Sequence, residues 1–402
     1  MILPTFYAFF VLTNTPAVAV PLKFKTTSFT DAAIDSGLAL KGLHAVALAN
    51  AFTKFDFKNG CTPANVKFRQ EWRTISIPRR KQFVAAVQCI SAKPSILPPG
   101  EVPASIHLYD DLVWAHVLRT ASVHNTGYFP VFHRYYIKVY EDALEDCGWD
   151  GGLPYWEWAL DINGPHLSPV FDGSDASLGS DGVFVPNRTA FNFLPFGHNE
   201  SDRVFVHPGT GGGCVERGPF REGEFTVHLG PYFPPADSSG GLGSADPKQP
   251  DNPRCLVRDL NSESIKRWNT FRNVTEQILA HDNIRDFQGN LEGDVRVTQQ
   301  TMRVHGGAHW AIGGTAGDIR ISPYDPAFFL THSNIDRVWW IWQNLDFKNR
   351  QGVHFTRTWQ DIPPSPNVTV EDYIDIEPHA PARKVKDLMN TVGGTPLCYV
   401  YV

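Results

Sequence analysis

The 402-residue sequence predicts a mainly α fold with long loops and a few short strands. Two observations lead there. Apolar residues recur at three- and four-residue steps in segments spread over both halves of the chain, the spacing of one helix face. Between those halves, residues 161–262 are rich in Gly, Pro, Ser and Asn and hold only short alternating runs, the pattern of a loop-rich insertion.

The elements follow in chain order. Residues 31–55 form an Ala/Leu-rich helical stretch, and "EWRTISIPRRKQFVAAVQCI" at 71–90 is a second, amphipathic one. In "SIHLYDDLVWAHVLRTAS", Ser105 is a candidate cap, and Tyr109, Leu112, Val113 and His116 share a face that turns His116 inward. The next helix opens near Pro130, a residue favoured at the first helical position, and ends at Gly148, with His133, Ile137, Tyr140, Glu141 and Leu144 on one side. The insertion offers three short strands, "GVFVP", "RVFVH" and "EFTVHL". Helical spacing returns in "ESIKRWNTFRNVTEQILAHD" and "TQQTMRVHGGAHWAI". In "SPYDPAFFLTHSNIDRVWWIWQN", Asp325 is the expected cap and Pro326 the first helical residue, with Phe328, His332, Ile335, Asp336 and Trp339 along one face. Residues 351–402 read as an irregular, Pro-rich tail ending in Tyr399-Val400-Tyr401.

Hydrophobic residues make up 42% of the chain and charged residues 19%, enough apolar material for a large core. A formal net charge of -6 provides no basic surface for neutralising phosphate, which argues against nucleic acid as a partner and for a small molecule. No internal stretch is apolar for long enough to span a bilayer, so no membrane partner is expected. An apolar run at residues 6–12 precedes Ala17-Val18-Ala19, a small-x-small cleavage pattern, so residues 1–19 are expected to be a signal peptide and the protein to be secreted. The departure is the n-region, because no Lys or Arg precedes Lys23. Sequons at Asn187, Asn199, Asn273 and Asn367 agree with export and N-glycosylation. The six cysteines are scattered and even in number, which allows three disulfides in any of fifteen pairings. A monomer or weak dimer is expected.

The chemistry sits in the histidines. His305 and His309 are spaced i, i+4, so both imidazoles leave one helical face, and His332 on the following helix can join them. His116 and His133 come from two further helices, and His124 from the turn "HNTGYFP" between them. Each triplet offers three neutral nitrogen donors and leaves a coordination position open, as a catalytic metal requires. Six buried, unpartnered imidazoles would cost about 1–3 kcal/mol each, so shared metal ions explain them better than core packing does. The remaining histidines (His44, His107, His166, His198, His207, His228, His281, His354 and His379) read as hydrogen-bonded core residues. Gly306 and Gly307 lie inside a helix at about 1 kcal/mol each relative to alanine, which implies room kept for a substrate or for a tight helix crossing. All-imidazole ligation suits zinc, copper, iron or nickel. Two adjoining triplets without carboxylates lean away from di-zinc and di-iron centres and towards copper.

These segments resemble the tyrosinase and catechol oxidase family of type-3 copper proteins. The copper-A signature stands as "YDDLVWAH" and "HNTGYFPVFHRYYIKVYE", the copper-B signature as "HGGAH" and "SPYDPAFFLTHSNIDRVWWIWQ". "EWRTIS", "AAVQCI" and the closing Tyr399-Val400-Tyr401 extend the likeness from about Glu71 to the end. The resemblance implies two copper ions, copper A held by His116, His124 and His133 and copper B by His305, His309 and His332. It also implies a central four-helix bundle within one tyrosinase-like dicopper domain at 20–402, and phenolic substrates oxidised with O2.

Several departures carry information. Thr331 replaces a histidine often found before the last ligand, without removing a ligand. Ser122 stands where many members carry the cysteine of a thioether to the second copper-A histidine, so no such crosslink is expected. Gly306 occupies a position that is often Asn in efficient monophenol hydroxylases, where Asn and a nearby Glu are thought to orient a water that deprotonates the phenol. A diphenolase with weak tyrosine hydroxylation is therefore the expected activity. The sequence stops one residue after Tyr-x-Tyr, where longer relatives continue into a domain that plugs the active site. Asn334 and Asp336 are candidates to support the imidazoles, Asp336 directly or paired with Arg337 or Arg73, and Ile319 and Ile321 are candidate gate residues over the pocket. The competing readings are a tyrosinase with monophenol hydroxylase activity, an o-aminophenol oxidase, a hemocyanin-like oxygen carrier and, more remotely, a di-zinc hydrolase.

Overall fold

The computed structural model describes residues 24–194, 199–232, 246–299 and 302–402; the expected signal peptide and His198 lie outside them. The amino-terminal helical stretch divides in two, α1 (Asp31–Asp35) and α2 (Leu38–Ala51). Gly37 sits between them at φ +79°, and a Cβ there would meet Phe271 Cδ1 at 2.8 Å, so the break serves a close approach to a later helix. Strand β1 (Lys67–Arg69) leads into α3 (Ile77–Ala92).

Helix α4 (Leu108–Val123) is capped by His107, not by Ser105. Asp110 reaches back to accept the His107 N–H at 2.8 Å, while the Ser105 hydroxyl is drawn to Asp111 Oδ1 at 2.5 Å. Helix α5 (Phe129–Glu145) starts with Pro130 in its first turn, as the sequence suggests.

Within the insertion lie β2 (Gly182–Phe184), β3 (Phe191–Phe193), β4 (Val204–Val206) and β5 (Gly212–Val215). β2 pairs antiparallel with β5, and β3 with β4. The third expected strand, "EFTVHL", is not one. Phe225, Val227 and Leu229 are buried in the main core, and Val227 makes only an isolated bridge to Arg254.

The segment expected as one helix after the insertion is two, α6 (Ser262–Trp268) and α7 (Phe271–Leu279), because the Thr270 hydroxyl accepts the Asn273 N–H at 3.1 Å and starts a new helix. Helix α8 (Ile284–Glu292) was not anticipated; Asn283 caps its start, and Gly293 at φ +75° ends it. Two more helices follow, α9 (Arg303–Ile312) and α10 (Ala327–Leu345). Pro326, expected as the first helical residue, is instead the N-cap of α10, and Asp325 just before it supports the start of the helix, its Oδ1 accepting the Ala327 N–H at 2.9 Å. The tail adds β6 (Tyr373–Ile374), which pairs with β7 (Arg383–Lys384), and β8 (Tyr399–Tyr401), which pairs parallel with β1.

Every residue of α10 is buried or nearly so, since α2, α5, α7 and α9 all pack on it. Its charged residues must therefore be neutralised internally. Asp336 accepts Arg134 Nε at 2.7 Å and the Tyr399 and Tyr401 hydroxyls at 2.6 and 2.7 Å, with Arg69 at 3.4 Å. The expected pairing of Asp336 with Arg337 or Arg73, or with an imidazole, is thus corrected. Asp336 and Arg337 are adjacent on the helix and point to different neighbours. Arg337 donates to Glu157 at 2.8 Å, and Arg73 to Glu71 at 2.7 Å and to Asp161.

Three disulfides resolve the fifteen pairings. Cys61–Cys398 ties the tail to the segment before β1, Cys89–Cys147 joins α3 to the residues after α5, and Cys214–Cys255 closes the insertion. Among the described residues, no helix is long and apolar enough to cross a membrane.

Candidate metal centre

Four helices present the six histidines. His116 projects from α4, His124 stands at its C-terminal cap, His133 comes from α5, His305 and His309 from α9, and His332 from α10. Within each triplet, one ring nitrogen per residue lies within 4.8 Å of the others. The triplets adjoin. The His133 and His332 rings stack with centroids 4.6 Å apart, and His124 stacks on His305 at 5.8 Å.

Backbone carbonyls aim the rings. His116 Nδ1 donates to Arg320 O at 2.9 Å, His124 Nδ1 to Thr120 O at 2.9 Å, His133 Nδ1 to Phe129 O at 2.8 Å and His309 Nδ1 to Ala316 O at 3.0 Å. A proton on Nδ1 leaves a lone pair on Nε2, the atom that faces the interior. His116 Nε2 and His133 Nε2 are buried without a hydrogen-bond partner. His309 Nε2 lies 3.2 Å from both His305 Nε2 and His332 Nε2, an approach of nitrogen atoms that a shared cation explains. Burial keeps all six imidazoles neutral, with His124 pushed down to about 3, His309 to about 4, and the other four well below the ordinary histidine range. Neutral imidazole is the form that binds metal, so the residues fit a pair of metal ions.

Phe328 underlies the site, its ring stacked on His332 with a centroid separation of 4.0 Å. Above it opens a cavity of about 190 Å³, lined by His124, His305 and His309 together with Gly306, Ile319, Trp310 and Trp359. The expectations divide here. Gly306 and Ile319 do line the cavity. Ile321 does not; it is core, 2% exposed, and packs towards Gly230. Asn334 is buried but turned from the histidines, donating to Trp156 O at 2.8 Å and accepting from Arg337 at 3.1 Å. The two helix glycines have separate reasons. A Cβ on Gly307 would meet Trp268 Cγ at 2.9 Å, a tight crossing of α6, whereas one on Gly306 would meet the end of the Met302 side chain at 3.0 Å.

Glu292, at the end of α8, is a pocket residue that sequence reading missed. Its Oε2 accepts the Asn125 N–H at 2.6 Å, beside His124, and burial pushes its carboxyl well above the usual range. The available signal was weak, a glutamate before Gly293 in an unassigned helix. Of the sequons, Asn187, Asn199 and Asn367 are exposed, while Asn273 lies in α7 with its amide bonded to Arg267 O.

Two adjoining three-imidazole sites inside a helical bundle, open to an aromatic cavity, define the type-3 dinuclear copper class of oxidoreductase. The profile of the common central domain of tyrosinase matches residues 106–345, and the chain belongs to the tyrosinase family. It is 36% identical over 314 residues to Tyrosinase-like protein orsC of Emericella nidulans, covering 73% of this chain and 78% of that one. It is 34% identical to Tyrosinase P of Aspergillus terreus over 83% of this chain and 91% of that one. The structure of a mutant polyphenol oxidase from Thermothelomyces thermophila matches with a TM-score of 0.80 at 32% identity, covering 91% of this chain and 98% of that one. The protein is thus an oxidase of the family that uses a dinuclear copper centre and acts on phenolic substrates with O2.

Proposed function

We propose that the chain is a secreted catechol oxidase, converting o-diphenols to o-quinones. His116, His124 and His133 hold copper A, and His305, His309 and His332 hold copper B. Copper bound there would supply the four-electron reduction of one O2 to two waters, coupled to the two-electron oxidation of each of two diphenols to quinone. The chain's own residues do the rest. Carbonyl-anchored imidazoles keep the donor set rigid, Phe328 shields it from below, and Trp310 and Trp359 flank the entering ring.

The observation that carries the diphenolase reading is Gly306 on the cavity wall beside His305. It offers no amide to hold a water for phenol deprotonation. Glu292, which burial biases towards its protonated form, is a poor base by itself. A catechol gives up its first proton more readily than a monophenol and needs no ring hydroxylation. The test loads the protein with copper, confirms the centre by its near-ultraviolet absorption on adding hydrogen peroxide, and compares 4-tert-butylcatechol, tyrosine and o-aminophenol. Rapid catechol turnover with slow tyrosine turnover supports the proposal. Comparable initial rates on tyrosine and L-DOPA would make it a tyrosinase, a preference for o-aminophenol an aminophenol oxidase, and reversible O2 binding without turnover a carrier.

A further inference from the structure

A second group of ligand-bearing side chains lies away from the dicopper cavity. His107 and Asp110 occupy the cap and first turn of α4, and His228 belongs to the segment following the insertion's strands. One ligand atom from each lies within 4.8 Å of the other two. The His107 and His228 rings face each other with centroids 5.6 Å apart, and His107 Nδ1 is 3.3 Å from Asp110 Oδ2.

We propose that His107, Asp110 and His228 form a third metal site, for a divalent ion of the zinc type, that staples the start of α4 to the stretch around His228. Two imidazoles and one carboxylate are a donor set that zinc accepts and that calcium or magnesium, which require oxygen, does not. The supporting bonds are those of a held ligand set. His228 Nδ1 donates to Asp251 Oδ1 at 2.8 Å, which leaves the lone pair on Nε2 and raises its basicity, the arrangement of carboxylate-backed metal histidines. Asp110 is fixed by the Tyr324 hydroxyl at 2.7 Å and by the backbone N–H groups of Ile106 and His107 at 3.1 and 2.8 Å. The same Tyr324 hydroxyl accepts the Leu229 N–H at 3.0 Å, so one residue positions both sides of the site.

Charge completes the case. Asp110 is 2% exposed, and among the described residues its only ion-pair partner is His107. Burial pushes its carboxyl upward in pKa, a cost that a bound cation would remove. His107 keeps about a third of its side chain exposed, which provides an entry path and a position for water as fourth ligand.

The experiment titrates zinc chloride alone into the copper-loaded protein, with both metals counted by mass spectrometry after gel filtration. One zinc per chain, bound with no loss of copper, is expected. His107→Ala and His228→Ala should each remove it while copper content and the circular dichroism spectrum stay unchanged. Asp251→Asn, which leaves every ligand in place, should weaken zinc about 10- to 100-fold. Three results would overturn the proposal: no zinc retained by the wild type, zinc uptake matched by copper release, or zinc retained by the H107A/H228A double variant.

Discussion

Arg134 Nε donates to Asp336 Oδ1 across 2.7 Å with both side chains fully or almost fully buried, and this contact joins α5 to α10 directly after His133 and one turn beyond His332. The carboxylate also receives two tyrosine hydroxyls from β8 and stands near Arg69, so one residue anchors two helices and the carboxy-terminal strand. Removing it would leave the buried Arg134 guanidinium without its carboxylate, while Arg69 would keep Glu141 at 3.1 Å. Asp336→Ala should destabilise the protein by about 3–5 kcal/mol, and Asp336→Asn by less, since the amide still accepts hydrogen bonds. Thermal unfolding of the copper-loaded proteins measures this, and an unchanged midpoint in Asp336→Ala would mean that the network is not shared as described.

Asp336 also shows where sequence reading stops. Its inward phase was legible from the helical period, as were the helices that bear His116, His133, His305, His309 and His332. The identity of its partners was not, because Arg69 and Tyr401 lie 267 and 65 residues away in sequence and meet it only through the β1–β8 pairing. The same holds for Glu292, in a helix too short to show clear periodicity, and for Ile321, where a two-residue step from Ile319 exchanges cavity for core. Local capping was misjudged where two polar residues competed. Ser105 has the better intrinsic preference, yet Asp110 selects His107 by reaching back to its N–H.

Gly307 and Gly306 should respond oppositely to a side chain. Gly307→Ala drives a methyl group into Trp268 and Asn269 at the α6–α9 crossing and should cost about 1–3 kcal/mol while displacing His305 and His309. Gly306→Ala should be tolerated, because only the flexible end of Met302 must move, and helix propensity favours it by up to about 1 kcal/mol. Comparing unfolding midpoints and copper content of the two variants checks the distinction; equal losses would contradict it.

His44 makes stability depend on pH. Desolvation and, next, the Arg337 guanidinium push it from 6.5 down to about 3, and Arg337 Nη2 lies 3.1 Å from the Nδ1 that must stay unprotonated. A group depressed in the folded state takes up its proton first in the unfolded chain. Its contribution is therefore complete above about pH 6.5 and is lost as pH falls towards 3, at a slope of up to about 1.4 kcal/mol per unit. His44→Gln, which can keep the bond to Tyr401 O, should flatten the decline in thermal midpoint between about pH 6.5 and about pH 4. A decline as steep as the wild type's would assign the acid sensitivity elsewhere.

Gly306→Asn tests the cavity wall directly. The new amide would project beside His305 into the space that Glu292 borders, where it could hold a water between itself and the carboxylate. Glu292 is protonation-prone because it is buried, and a water bonded to it would favour the charged form and make it a usable base. The ratio of tyrosine to L-DOPA turnover should then rise, on the order of tenfold, with catechol turnover little changed. Adding Glu292→Gln should return the ratio to that of the parent, since the amide pair lacks a group to accept the phenol proton. If Gly306→Asn raises the ratio equally when Glu292→Gln is also present, the asparagine acts by orienting the ring and not through a water on Glu292.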